Sequence, residues 1–383
     1  MKKISLLPLA LFLTSCGPQI YEIPTEAYVP TLTTSELEES LALGAQFLLA
    51  HQTEAGNFDY EYNFATQSYT EDDNAVRQAG ALWGLTLINL HSPNPDLENA
   101  IEKGLTYFKI NSVWLDSPNN LPDKRCVAYP DGEAGKTGTQ ALVTLSLIDY
   151  IRVNPESPVK EDLDPYLNCL LALRQEGGQF YGNYEETDPE DLGEGYGKAS
   201  AYYDGEALLA LIKAAKYAGY EELGELAAES AEQMVKVNVE AALAEDPDSD
   251  TTKGFYQWGS MALYELYTSE WSSDDQADWT LAMATWMMDT HEILTRTKNT
   301  GYAFEGLASA YEVARLTGDE VLQNKLQMTI DTGLSKLRSW QITDSADPYA
   351  QGGIRNEAEG ETLRIDVAQH QMHATILALK FIY

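Results

Sequence analysis

From residue 34 to its end the chain is a nearly unbroken succession of helical segments, and that limits what it can fold into. Ser35 caps the first segment, where Leu37, Leu41, Phe47 and Leu48 recur at helical spacing until near His51. Helices are expected over 35–51, from the 71–74 junction to about 90, and over 96–110, 137–153 and 163–174. A sixth starts near 200, and six more cover 221–239, 256–268, 274–296, 303–317, 319–340 and 363–382. Strand signals are nearly absent. Twelve helices in six consecutive pairs predict an all-α chain, an (α/α)6 toroid forming a single domain over 35–383. The linkers 52–70, 111–135, 175–197 and 343–361 are long. Linkers of that length in a compact domain are usually functional, and their aromatics are expected at one mouth.

The stretch 56–90 organises the rest. Its first half is rich in aromatics and acids, and its second half is an amphipathic helix. Glu71, Asp72, Asp73 and Asn74 stand at the junction, where helix-starting residues belong. Arg77 follows Asp73 by four positions, so the two share a helical face. Ala79, Gly80, Ala81 and Gly84 leave little bulk, which suits close packing against another helix.

A short internal repeat points the same way. Leu48-Leu49-Ala50-His51-Gln52 leads to Gly56-Asn57-Phe58, and Leu171-Ala172-Leu173-Arg174-Gln175 leads to Gly178-Gln179-Phe180. Leu337-Arg338-Ser339-Trp340-Gln341 leads, after a longer gap, to Gly352-Gly353-Ile354. The chain resembles the six-hairpin toroid superfamily, which includes glycoside hydrolases, polysaccharide lyases and sugar epimerases. The sharper pieces are Asp73 to Gly80 (DNAVRQAG), Tyr203 to Ala210 (YDGEALLA) and Arg364 to His370 (RIDVAQH). The resemblance implies a carbohydrate-binding cleft at one end of the barrel, and it assigns no catalytic residue. No period near 34 or 40 residues supports a TPR or HEAT array.

Glycoside hydrolysis needs two carboxyls, one to protonate the leaving oxygen and one to activate water or attack. Asp73 qualifies by its place at a helix start, although capping would explain it equally. Glu206 enters a small-residue helix after two tyrosines, where desolvation raises a carboxyl toward general-acid use. Asp366 opens the last helix with His370 and His373 on its face, a set that could bind a metal or form a proton relay and that is more often a satisfied polar core. Arg77 and Arg364 lie near helix starts, where the dipole disfavours a cation, so each calls for an anion. That anion is either a buried acid or the carboxylate of a uronic acid. Tyr203, Trp258, Arg296 and Glu305 complete the expected substrate-binding group, with rim tyrosines such as Tyr60, Tyr62, Tyr69, Tyr129 and Tyr196 to stack on sugar rings. In a lyase or epimerase, His370 with Tyr203 would matter most.

The first residues carry an address. Lys2 and Lys3 precede an apolar run from 4 to 13, then Leu13-Thr14-Ser15-Cys16, which resembles a bacterial lipoprotein signal. A signal peptide is expected over 1–15, a lipid on Cys16, a tether over 16–34 and an outer-membrane location, with Gly17 following the cysteine. A formal charge of −35 argues against nucleic acid as a partner. Cys126 and Cys169 are then free to pair in an oxidising compartment. With no CxxC or HExxH, no metal is expected, and no motif calls for a cofactor. A lanthionine-type zinc cyclase would need a cysteine–histidine set, and none of the five histidines sits beside a cysteine. GxSxG, phosphate-loop and Rossmann patterns are missing. The function expected is a carbohydrate-active enzyme, hydrolase-like or else a lyase or epimerase, acting on a cell-surface or imported glycan, an oligo- or polysaccharide. The alternative is a non-catalytic lipid-anchored protein that holds a glycan or a protein.

Overall fold

The structure is a computed structural model that describes residues 28–115, 123–129, 134–185 and 197–383. The expected signal peptide, the lipidation site Cys16, most of the tether, and Tyr196 lie outside the described residues. Twelve long helices are present among them: α1 (Thr34–His51), α2 (Ala75–His91), α3 (Pro95–Ile110), α4 (Thr137–Val153), α5 (Leu163–Ala172) and α6 (Ala201–Tyr217). They continue as α7 (Leu223–Val235), α8 (Asp250–Tyr267), α9 (Asp274–Asp289), α10 (Gly301–Thr317), α11 (Glu320–Arg338) and α12 (Ile365–Phe381). A π-helical turn, Lys236–Ala241, and a short helix, Ala242–Glu245, prolong α7.

The even-numbered helices form a closed inner ring, with α2 on α4, α4 on α6, α6 on α8, α8 on α10, α10 on α12, and α12 back on α2. The odd-numbered helices cover the seams from outside, which makes the chain an (α/α)6 toroid. The sequence explains the division. Outer helix α3 buries only Leu97, Ala100, Ile101, Gly104, Leu105 and Phe108, a single stripe at helical spacing. Inner helix α4 buries every residue from Thr137 to Ile151, because it is covered all round. Small residues let the ring close. A Cβ on Gly84 would lie 2.8 Å from Cγ of Gln369 on α12.

The internal repeat is a structural device. Gly56, Gly178 and Gly352 all have positive φ, at 108°, 89° and 82°, and turn the chain back toward the ring. The apolar residue that follows each, Phe58, Phe180 or Ile354, is buried and bridges to the end of the preceding outer helix.

Two helix boundaries differ from expectation. Helix α8 starts six residues earlier than 256, because Ser249 caps a polar first turn that has no apolar periodicity. Helix α9 stops at Asp289 and not near 296, since Glu292 adopts a left-handed φ of 49°. Among the described residues seven short strands appear where few were expected: β1 (Glu61–Asn63), β2 (Ser68–Tyr69), β3 (Ser112–Leu115), β4 (Lys124–Val127), β5 (Ala134–Lys136), β6 (Asn183–Glu185) and β7 (Thr362–Arg364). They form sheets ordered β2-β1-β7, β3-β4 and β5-β6. They pair only where rim segments run alongside one another. Cys126 on β4 and Cys169 on α5 form a disulfide with Cα atoms 5.5 Å apart. No helix among the described residues is long and apolar enough to cross a membrane.

Candidate active site

All six inner helices begin at the same end of the barrel, because each follows an outer helix that runs the opposite way. The fourth residue of three of them clamps the incoming chain. Gln78 of α2 exchanges hydrogen bonds with the backbone of Phe58, at 2.8 and 2.7 Å. Gln140 of α4 accepts from Val127 N at 2.9 Å, and Asp204 of α6 accepts from Phe180 N at 2.8 Å. These clamps fix the rim on which the site is built.

At the mouth, Arg364 forms a two-pronged pair with Asp366, Nε to Oδ1 at 2.9 Å and Nη2 to Oδ2 at 2.6 Å. Arg77 approaches from α2, with Nε 3.2 Å from Asp366 Oδ2 and Nη1 donating to the Tyr60 hydroxyl. Asp366 is only 7 % exposed. Burial alone would raise its carboxyl, but Arg364 and then Arg77 hold it below the ordinary carboxylate range. The anion that both arginines called for is therefore this buried aspartate. Arg77 keeps 41 % of its side chain exposed at the mouth.

One turn deeper, Glu305 on α10 is fully buried and faces two histidines of α12. Its Oε1 lies 3.2 Å from His370 Nδ1 and 3.6 Å from His373 Nδ1, and Gln257 Nε2 of α8 donates to its Oε2. Burial pushes the Glu305 carboxyl up, yet the two imidazoles pull it below the usual value. A carboxylate only accepts, so the contact with Glu305 calls for a hydrogen on His370 Nδ1, an atom that also lies 3.1 Å from Gln257 Nε2, and it leaves Nε2 outside the pair. The His370 side chain is 24 % exposed. Trp258 and Trp83 pack edge-on against His370 and His373, with ring centroids 6.1 and 4.9 Å away. Further down, Asp149 closes the floor by accepting from Trp83 Nε1 at 2.9 Å and Lys213 Nζ at 2.5 Å.

On the other side of the mouth, a pocket of about 550 Å³ opens between the starts of α2, α4 and α6. Asp73, Tyr129, Lys136, Asn183, Lys198 and Tyr203 help to line it. Glu206 sits one turn below Tyr203, tight against Gly138 of α4, and its buried Oε2 has no hydrogen-bond partner. Burial raises this carboxyl well above the ordinary glutamate value, and the Tyr203 phenol is pushed up to about 12 by burial and then by Glu206.

The expected residues thus fall into separate groups. Arg77, Arg364 and Asp366 meet, as do Glu305 and His370, and Asp366 lies close enough to feel His370. Asp73 is exposed and committed, accepting from Asn74 N, Gln78 Nε2 and the Tyr129 hydroxyl, while Asn74 is the actual N-cap. Arg296 is not brought to Glu305, since His291 and Asp248 hold it at the rim. Trp258 is buried in the ring and does not lie on a loop. Among the described residues, no three acids, histidines or cysteines gather as a metal site, so Asp366, His370 and His373 do not form one. Gln257 went unnoticed in the sequence, although a glutamine between aromatics in an apolar helix was its signal. The Asp149–Lys213 pair was also missed, although each interrupts an apolar run.

No family model matches the sequence, and no curated protein matches it. Solved structures do match. A sugar epimerase from a ruminal bacterium superposes with a TM-score of 0.66 at 13 % identity, over 92 % of this chain and 100 % of the other. An inactive variant of an α-1,6-mannanase from a Salegentibacter species, in complex with α-1,6-mannotetrose, gives 0.62 at 12 % identity, over 90 % and 99 %. An unsaturated glucuronyl hydrolase specific for heparin gives 0.62 at 12 % identity, over 90 % and 98 %. The likeness is one of fold: the chain shares its (α/α)6 toroid with these proteins.

Proposed function

We propose that this protein is a carbohydrate-active enzyme that moves a proton on a sugar held at the mouth, with His370 as the transferring group. The observation that carries this reading is the Glu305–His370 pair, in which the carboxylate is fully buried and the imidazole stays partly exposed. His370 Nε2 would remove a hydrogen from a sugar carbon beside a carbonyl or carboxylate. Arg77, half-open at the mouth, would steady the negative charge that develops on oxygen. Delivery of a proton to the opposite face gives an epimer, delivery to the neighbouring carbon gives an isomer, and departure of a neighbouring group gives an unsaturated product. The mannanase, epimerase and glucuronyl hydrolase above act on sugars within the same fold, which supports the substrate class.

A second reading, hydrolysis, is favoured by Glu206. A buried carboxyl raised well above the ordinary glutamate value, with one oxygen unpartnered, is suited to protonate a leaving oxygen. The test is incubation of the purified protein in D2O with reducing sugars, uronates and polysaccharides, followed by NMR and mass spectrometry. Deuterium at a ring carbon, abolished by His370→Gln, supports proton transfer. New reducing ends without deuterium, abolished by Glu206→Gln, replace it with hydrolysis. Saturable binding without product leaves the glycan-holding protein.

The lipid on Cys16 and the outer-membrane location belong to the same proposal and rest on the signal-like sequence. Residues 28–32 dock on α11 beside the C-terminal Tyr383, at the end of α12 that lies away from the mouth. A tether entering there would leave the mouth facing away from the membrane.

A further inference from the structure

The rim carries two exposed tyrosines outside the groups described above. Tyr69 on β2 and Tyr349 in the α11–α12 connection are 38 % and 46 % exposed, with ring centroids 6.2 Å apart. They come from different linkers, yet they are held firmly. Tyr69 pairs with Tyr62 across the β1–β2 hairpin, and the Tyr62 hydroxyl donates to Asp347 Oδ2 at 2.6 Å. The other oxygen of Asp347 accepts from Tyr349 N at 3.0 Å, which ties the second tyrosine to the first. Beneath them lies the buried His51 ring, 5.7, 5.6 and 6.1 Å from Tyr62, Tyr69 and Tyr349.

We propose that Tyr69 and Tyr349 form an outer sugar-binding platform, so that the substrate is an oligo- or polysaccharide running from the barrel axis across the rim. This inference rests on the carbohydrate reading of the axial site and names the size class of its substrate. Three observations support it. Tyr60, which accepts from Arg77, immediately precedes β1, whose Tyr62 pairs with Tyr69, so the strand that supports the platform starts at the Arg77–Asp366 group. Exposed aromatic faces pack on the C–H faces of pyranose rings, and phenol edges hydrogen-bond sugar hydroxyls. The Asp59 carboxylate, close enough to act on the Tyr69 phenol, makes no hydrogen bond among the described residues and is free to accept from a hydroxyl. An anionic lipid surface fits poorly, because the chain carries a formal charge of −35 and Asp59 and Asp347 flank the rings.

The test is native affinity electrophoresis of the full protein in gels containing mannan, xylan, β-glucan, polygalacturonate or alginate. Retardation by at least one polymer is expected for the wild type and for His370→Gln. The double variant Tyr69→Ala/Tyr349→Ala should bind that polymer about tenfold or more weakly, whereas Tyr69→Phe/Tyr349→Phe, which keeps the stacking faces, should stay within about threefold. Circular dichroism and sedimentation of each variant establish that it is folded and unchanged in assembly. Equal retardation of the alanine variant, or no retardation of any protein by any polymer, overturns the platform. So does a loss of binding that tracks a change in oligomeric state. Retardation lost in the alanine variant, with no deuterium exchange or cleavage on any sugar, upholds the platform and overturns the axial chemistry.

Discussion

Glu305 and His370 are 65 residues apart in sequence and meet at 3.2 Å beside the barrel axis. The contact joins α10 to α12 and leaves one imidazole nitrogen for chemistry. His370→Gln is expected to lower kcat by about 10²–10⁴ with a small change in KM. Glu305→Gln should lower kcat as well, because a neutral amide oxygen is a weaker acceptor and stabilises no imidazolium. Deuterium exchange on the responsive sugar measures both.

Arg364→Ala leaves Asp366 buried with only the outer guanidinium of Arg77. Removing one partner of a buried pair costs about 3 kcal/mol or more, and guanidinium denaturation should read that loss. Arg364→Lys should recover little, because an ammonium cannot reproduce the two-pronged geometry.

Glu206 is protonated in the folded chain at pH values where the unfolded chain has already lost the proton. The folded state then binds more protons, so this group's contribution falls as pH rises above the ordinary glutamate value. Glu206→Gln should therefore unfold at a higher temperature than the wild type at pH 8, and the gap should narrow toward pH 4.5. A gap that widens on acidification would contradict the assignment.

His51 behaves in the opposite sense. Burial lowers its imidazole from 6.5 to about 4, against a smaller opposing effect of the Phe47 carbonyl. Between those values the unfolded state holds the extra proton, so stability falls as the pH drops from 6.5 toward 4. The loss is on the order of 3 kcal/mol, and His51→Phe should flatten that part of the stability–pH curve.

Gly352 has a φ of 82°, and a Cβ there would run into the carbonyl oxygen of Leu43. Gly352→Ala should destabilise the chain by at least about 1–2 kcal/mol in thermal unfolding. Gly219, with a φ of 87° and open space around it, should respond more mildly to the same change.

Much of the ring was legible in advance. Helix α4 falls at 137–153 as expected, because apolar residues recur at helical spacing through Leu142, Leu145, Ile148 and Ile151 between two clear breaks. The need of Arg77 and Arg364 for an anion was also legible, since each sits where a helix dipole repels it. Which anion was not. Asp366 is two residues from Arg364 but 289 from Arg77, and only the closure of α12 on α2 makes it common to both. Trp258 read as a rim residue because the first turn of α8 is polar, and Arg296 read as a mouth residue because the break at Glu292 left no periodic trace.

The sequence by itself determined twelve helices, their alternation, and the turns at Gly56, Gly178 and Gly352, because periodicity and backbone freedom are local properties. Tertiary structure alone decided which polar groups meet. It brought Glu305 to His370, set Tyr69 edge-on to Tyr349, and left one oxygen of Glu206 without a partner. Those outcomes depend on the angle at which each inner helix faces the axis. That angle is set by packing around the whole ring, and no single segment encodes it.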